Sequence, residues 1–378
     1  MTRRMFSLRE IAPPAPAVTT PVGEKVWLLN LDQIEPHTGI LLSKEYVESS
    51  RLGTSTYAFD DGNVLYSKLR PYLNKVVLPD IAGYCTSELV PMRPNQAVVT
   101  REYLAAYLRS PSFLNWVSQQ VDGAKMPRVS MKVLWEHRIE LPTLDEQKRI
   151  TSILAKADSL RRKRKEAMRL ADEFLRSAFY EIFGDPVANS KNWGEREIAA
   201  IGKVTTGNTP SRDVDAYFGD AIEWIKSDNI NTAGHWLTKA REGLSELGAT
   251  VARTAPRGST LMTCIAGSHS CIGNVAMTDR TVAFNQQINA VTPLANIEPE
   301  FVYALLLFSK ARIQATSTNS MKGMVSKGTL ERVRLIWPPS DLQKKFVQLF
   351  KQVQRLQSRM EAADASSFFN ALQSKILA

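Results

Sequence analysis

Cys264, His269 and Cys271 fall within eight residues, a spacing that raises the question of zinc. A closed structural zinc site wants four ligands in paired short spacings, and no fourth stands nearby. Strand-buried thiols beside a loop histidine are therefore the expectation. KVTTGNTPS (203–211) superficially resembles a phosphate loop, but GxxxxGK[ST], GxGxxG and HExxH are all absent. Trp337-Pro338-Pro339-Ser340 and Gly184-Asp185-Pro186 come nearest to the Pro-containing catalytic elements of adenine and cytosine methyltransferases. Both lie at expected helix boundaries and miss the pattern. A nuclease-like carboxylate pair could be sought in Asp80 and Glu146, yet Glu146 is better explained as a first-turn residue of a helix. His37, His137 and His235 have no adjacent nucleophile or carboxylate to make a catalytic case. The chain reads as a binding device.

The elements that must position such a device come in duplicate. LPTLDEQKR (141–149) returns as WPPSDLQKK (337–345), and VSMKVLWEHRIELPTLDEQKRI (129–150) lies over VSKGTLERVRLIWPPSDLQKKF (325–346) without a gap. Eight of these 22 positions are identical. At the same offset Asp32, Gly62 and Leu65 meet Asp228, Gly258 and Leu261; REIA (9–12) recurs at 196–199 and VTT (18–20) at 204–206. Such an ordered series marks two diverged copies of one unit.

The pattern predicts four segments: a globular part at 1–142, a long helix at 143–183, a second globular part at 184–340 and a second long helix at 341–378. Pro142 and Thr143 precede the first helix, Asp145 and Glu146 load its first turn, and Gly184-Asp185-Pro186 stops it. Its apolar seam runs through Ile150, Ile153, Ala157, Leu160, Ala167, Ala171, Phe174 and Ala178, broken only by Arg164. In the second helix the seam is Phe346, Leu349, Val353, Leu356, Met360 and Ala363, continued by Phe368, Leu372 and Ile376. An amphipathic helix this long is unstable alone in water, so the two are expected to pair antiparallel as a coiled coil. The globular parts read as mixed α/β. Strands are expected at 26–34, 64–69, 260–266 and 288–294, and helices at 101–120 and 298–316.

Net charge is +10 over 378 residues, which suggests a polyanionic partner. It divides as +2, +3, +2 and +3 over the four segments, so neither globular part carries enough charge to owe tight binding to phosphate neutralisation alone. No apolar run approaches a membrane span, the N-terminus lacks a signal-peptide core, and three scattered cysteines give no disulfide framework. These point to an intracellular, cytoplasmic protein.

Two α/β domains alternating with long helices, and the boundary phrase P-x-x-[DE]-x-Q-[KR]-[KR]-[IF], resemble the specificity subunit of type I restriction–modification systems. GNVLYSKLRPYLNKV (62–76), TTGNTPS (205–211) and AFNQQINAVTP (283–293) are similar to phrases of that family's target recognition domains. In the first half the TGxTPS loop is replaced by PAPAVTTPVGEK (14–25). The resemblance implies a mixed α/β fold with two target recognition domains separated by two long antiparallel coiled-coil helices. Each domain would read half of a bipartite target in double-stranded DNA, with the helices as ruler. The helices would also dock two methyltransferase subunits and, through them, a restriction/translocase subunit. S-adenosylmethionine, ATP and Mg would belong to those partners, and this chain would be non-catalytic, with no cofactor or metal of its own.

On that reading the first domain's DNA contacts are expected from Lys68, Arg70, Tyr72, Asn74 and Lys75, with Ser87 and Glu88 secondary. Arg and Asn suit guanine and adenine edges, and Lys suits phosphate. Lys125 and Arg128 would touch phosphate. In the second domain Thr206, Asn208, Thr209, Ser211, Ser268, His269, Gln286 and Gln287 are expected, the paired glutamines to address adenine. The basic run 161–165 is expected to be a solvated or partner-facing helix face.

Overall fold

A computed structural model describes residues 4–15, 23–123, 125–232, 234–318 and 323–362. The chain divides into two compact units, Met1–Lys165 with Glu361–Ala378, and Glu166–Met360. Each is mixed α/β.

In the first unit, strands Glu45–Glu48, Lys25–Leu29, Gly83–Thr86 and Thr56–Phe59 form one sheet in that order, and Val76–Val77, Val64–Ser67 and Leu89–Met92 form another. Lys25–Leu29 and Gly83–Thr86 run parallel, while the other pairs are antiparallel. Val64–Ser67 is buried at every position, so this apolar strand lies between two layers and shows no alternation. The second unit repeats the design. Gly243–Leu244, Phe218–Ile225, Val282–Phe284 and Thr254–Ala255 match the first sheet, with the equivalent pair parallel. Thr260–Thr263 lies between Val275–Met277 and Ile288–Pro293, as Val64–Ser67 does between its neighbours. The common topology is the structural form of the sequence repeat.

In each unit a first strand pairs antiparallel with a last one, Arg4–Ser7 with Arg138–Leu141 and Glu195–Glu197 with Arg334–Ile336. This corrects one sequence match. Leu8 N–H donates to the His137 carbonyl at 2.9 Å and Ile198 N–H to the Val333 carbonyl at 3.0 Å, which makes Leu8 and Ile198 equivalent. The two REIA phrases are then three residues out of step. The VTT at 18–20 lies outside the described residues. The second unit also has a strand, Gly202–Thr206, along Ile288–Pro293. Its counterpart is a single bridge, Pro14 to Met92, because prolines have no N–H to donate to a ladder.

Expected elements are cut short where the backbone chemistry demands it. Strand 26–34 ends at Leu29 and turns through a 3-10 segment, Leu31–Gln33. The helix expected at 101–120 is two helices, Arg101–Leu108 and Pro111–Ser118; Ser110 caps the second, whose first residue is Pro111. The other, 298–316, breaks between Phe308 and Lys310.

The duplicated phrase is a helix-start clip. Gln147 is fully buried; its side-chain N–H groups reach the Pro142 carbonyl at 3.0 Å and the Val98 carbonyl at 2.8 Å, and its oxygen accepts from Thr100 N–H at 2.8 Å. Gln343 donates to the Pro338 carbonyl at 2.8 Å in the same way. Proline ends the preceding strand, and glutamine folds back to satisfy the carbonyl that proline leaves open. Gln147→Leu strands three backbone groups and is expected to destabilise the first unit by about 2–3 kcal/mol. A urea melt shifted by less than about 0.5 kcal/mol would mean that this clip carries no stability.

The central helix runs Leu144–Phe183 and the second Ser340–Ala362. In the second unit they are antiparallel. Phe183 and Phe179 lie 5.7 and 5.4 Å from Phe346, while Asp172, about three turns before Phe183, accepts from Gln357 at 2.7 Å. The seam needs correction in phase. Leu175, Phe179 and Phe183 are buried with Phe346, Val347, Phe350 and Val353, whereas Phe174 and Leu356 are about half exposed, at 51% and 53%. Leu349 and Met360 are half-buried. In the first unit Ile150 and Leu154 enter the core, Ile153 and Ala157 are half-buried, and Leu160 is exposed. A heptad template drifts against a straight helix, and here the globular core, not only the partner helix, selects the buried face. Ala363, Phe368, Leu372 and Ile376 lie outside the described residues.

Candidate nucleic-acid interface

In the first unit, the strand Val64–Ser67 runs out into a loop that is stitched to a short hairpin, Val121–Asp122 with Arg128–Val129. Arg70 N–H donates to the Pro127 carbonyl at 2.7 Å, and the Lys68 carbonyl accepts from Val129 N–H at 3.1 Å. Two segments far apart in sequence thus share one surface, which presents Lys68, Arg70, Tyr72, Lys125 and Arg128. Arg70, Tyr72 and Lys125 are exposed. Arg70 holds a left-handed conformation, φ 47°, which starts the 3-10 turn Pro71–Leu73.

Two expected readers point elsewhere. Asn74 is buried, and its side-chain N–H donates to the Arg109 carbonyl at 3.1 Å. Its backbone is left-handed at φ 52°, and the equivalent place in the second unit is Gly273 at φ 77°. Asn is there because it tolerates that conformation and caps the end of a helix. The Lys75 ammonium donates to the Leu31 carbonyl at 2.5 Å, and partial burial lowers its pKa. Arg128 is also engaged: it forms a two-pronged ion pair with Glu88, at 2.7 and 3.1 Å, which holds the Glu88 carboxyl below the usual range.

In the second unit the TTGNTPS loop leaves the strand Gly202–Thr206 through Gly207. A Cβ on Gly207 would stand 2.2 Å from the Asn285 carbonyl and 2.3 Å from that of Phe284, so only glycine fits. Thr206 donates to the Asn289 side chain at 2.6 Å, and Thr209 donates to Gln286. Asn208 is engaged on both sides of its amide: its N–H reaches the Val251 carbonyl at 2.9 Å, and its oxygen accepts from Arg253 N–H at 2.7 Å. These bonds tie its side chain to the loop and so shape it. Ser211, Gln286 and Gln287 are exposed. The Gln287 carbonyl accepts from Cys264 and Ile265 N–H at 2.8 and 3.1 Å, joining the glutamine turn to the strand that leads to exposed Ser268 and His269. The loop, the glutamine turn and the 268–269 turn are thereby linked in series.

Sequence reasoning missed the side chains that support this loop. Trp224 donates from its ring N–H to the Asn208 carbonyl at 3.3 Å. Arg212 stacks over Trp224 and Phe218 at 5.1 and 4.7 Å, and Lys226 lies over Trp224 at 5.0 Å. Glu242 binds both cations, Arg212 at 2.8 Å and Lys226 at 2.5 Å. Nothing local in the sequence ties Glu242 to either.

Cys264 is buried, and burial pushes its thiol up to about 12; among the described residues no cluster of three or more ligands could hold a metal. His235 does have a carboxylate partner, contrary to the sequence expectation. Its ring nitrogens lie 3.0 Å from Asp172 and 2.8 Å from the Tyr303 hydroxyl. Partial burial raises the Asp172 carboxyl, but the His235 and Gln357 hydrogen bonds outweigh it and leave the pKa below the usual range. Tyr303 is almost fully buried, and burial pushes its hydroxyl far up, so this is no exposed nucleophile. The network ties both helices to the second domain. Among the described residues no helix is long and apolar enough to cross a membrane.

The family model of the type I restriction modification DNA specificity domain matches residues 37–168 and 190–364, well over half of the chain. The chain belongs to that family. The specificity-domain match occurs twice, as the two units do. Among curated relatives of this specificity-domain chain, the EcoDI type I restriction enzyme specificity subunit of Escherichia coli is 24% identical over 156 residues, 40% of this chain and 34% of the relative. The HindI specificity subunit of Haemophilus influenzae is 27% identical over 177 residues, 43% and 36% of the two chains. These matches span about a third of each relative's length. Among solved structures, the type I restriction–modification S subunit from M. genitalium has a TM-score of 0.62 at 12% identity, covering 100% of this chain and 96% of that one. A chain from a study of complex assembly and conformational transition of the type I R-M system gives 0.59 at 18%, covering 99% and 97%. At such identities they establish the specificity-subunit fold.

Proposed function

We propose that this chain is the non-catalytic specificity subunit of a type I restriction–modification complex in the cytoplasm. Segments 1–142 and 184–340 each read one half of a bipartite target in double-stranded DNA; segments 143–183 and 341–378 are the spacer helices. The observation that carries this is the repetition of one sheet topology, each copy ending in the same proline–glutamine clip and running into a long helix. A device that presents the same kind of surface twice suits a target in two parts.

Two methyltransferase subunits dock on the helix pair, and a restriction/translocase subunit joins through them. The exposed Leu170 and Phe174, one turn apart on the central helix, supply apolar surface for such a partner. S-adenosylmethionine, ATP and Mg act on the partners. In the first reader Arg70, Tyr72, Lys68 and Lys125 meet DNA; in the second, Ser211, Gln286, Gln287, Ser268 and His269 do so, on a loop that Thr206 and Thr209 help to shape. Partners close around the duplex and supply phosphate contacts that the nearly neutral readers lack.

The test is to reconstitute the chain with its methyltransferase and map modified adenines genome-wide. Exchanging residues 1–142 for those of another family member is expected to change one half-site and leave the other intact. A change in both half-sites, or modification without a two-part motif, would sink the reading.

A further inference from the structure

Each candidate interface holds a cation in an internal ion pair, Arg128 in the first and Arg212 with Lys226 in the second, and the two arrangements are built from unrelated positions. In the first reader Glu88 holds Arg128 through two prongs, at 2.7 and 3.1 Å, with Lys68 close enough to lower the Glu88 pKa further. In the second, Glu242 bridges Arg212 and Lys226 across the face of Trp224. Lys68 N–H donates to the Glu88 carbonyl at 3.0 Å as Cys264 N–H does to that of Gln287 at 2.8 Å, so Glu88 corresponds to a neutral glutamine in the other copy. Arg128 likewise corresponds to Met324, because Leu69 bridges to Arg128 as Ile265 pairs with Met324. The arrangement is therefore not a remnant of the duplication.

These pairs are partly exposed, with side-chain exposures between 24% and 56%, and beyond holding the loop such pairs add only modestly to stability. Beside a polyanion they have a definite effect. The carboxylate occupies the N–H groups that would bind phosphate, and it repels the duplex. Resting on the DNA-reading function above, we propose that Glu88 and Glu242 are specificity filters that hold the flanking cations away from non-specific phosphate. A duplex in register is held by base contacts from the neighbouring loops and leaves these pairs in place; a random duplex lacks those contacts and could gain only the phosphate contacts that the carboxylates block. Specificity is a difference of affinities, and this device enlarges it by weakening the wrong complex.

The experiment uses the full chain reconstituted with its methyltransferase partner. Labelled duplexes carry either the mapped target or a scrambled sequence of equal composition, titrated over a salt series. With Glu242→Gln or Glu88→Gln, affinity for the scrambled duplex is expected to rise roughly threefold to tenfold. Its salt dependence should steepen, and target affinity should change less than about twofold. Adding Arg212→Ala and Lys226→Ala to Glu242→Gln should erase the gain. The proposal is overturned if scrambled-duplex affinity does not move, or if the gain survives removal of both cations. Loss of target binding in the glutamine variants also overturns it, since the carboxylates would then be direct readers. A wild-type complex that prefers no sequence would instead remove the DNA-reading function itself, and the filter with it.

Discussion

Phe179→Ala is expected to destabilise the second unit by about 3–5 kcal/mol, because the ring is fully buried and a cavity would replace it. Its centroid lies 4.5 Å from Phe308, 4.9 Å from Phe183 and 5.4 Å from Phe346, so one truncation removes contacts to the second domain and to the partner helix together. Phe174→Ala is the matched control. That ring is 51% exposed, and its loss should change stability by no more than about 0.5 kcal/mol. Urea melts followed by tryptophan fluorescence compare the two. Equal losses would show that the buried face of the central helix has been placed wrongly.

The second large effect follows from the proposed DNA-reading function. Inserting one heptad into each long helix, at corresponding places, keeps an antiparallel pair in register and lengthens it by about 10 Å. With the helices acting as the spacer, the gap between half-sites should grow by roughly two to three base pairs. Both half-sites should keep their sequence, since neither reader has changed. Methylation mapping of the insertion variant gives the answer directly. Altered half-sites with an unaltered gap would separate the helices from the measurement of distance.

The boundary phrase shows why some features can be read from residues alone. Pro142, Gln147, Pro338 and Gln343 act within six residues of one another in each copy, so their spacing is their geometry. The long helix is equally local: forty residues without Gly or Pro, an acidic first turn, and Gly184 at φ 75° beyond the end. Recurrence of such local signals was enough to establish two copies of an α/β unit, each joined to a helix. Locality fails at turns of the tertiary structure. Asn74 has the donor pattern of an adenine reader, but its left-handed backbone turns it inward to Arg109. Asn208 is tied to Val251 and Arg253, more than forty residues away.

Helical spacing by itself determined that each long helix has an apolar face, because periodicity is a property of consecutive residues. Which residues on that face are buried, Phe179 and not Phe174, was decided by the domain core against which the helix lies. The residue types by themselves determined that cations and amides stand near the recognition loops. Their state was decided only in three dimensions, where Glu88 and Glu242 reach across the fold to hold Arg128, Arg212 and Lys226. Attraction between charges depends on distance in space, and the chain's linear order does not contain that distance.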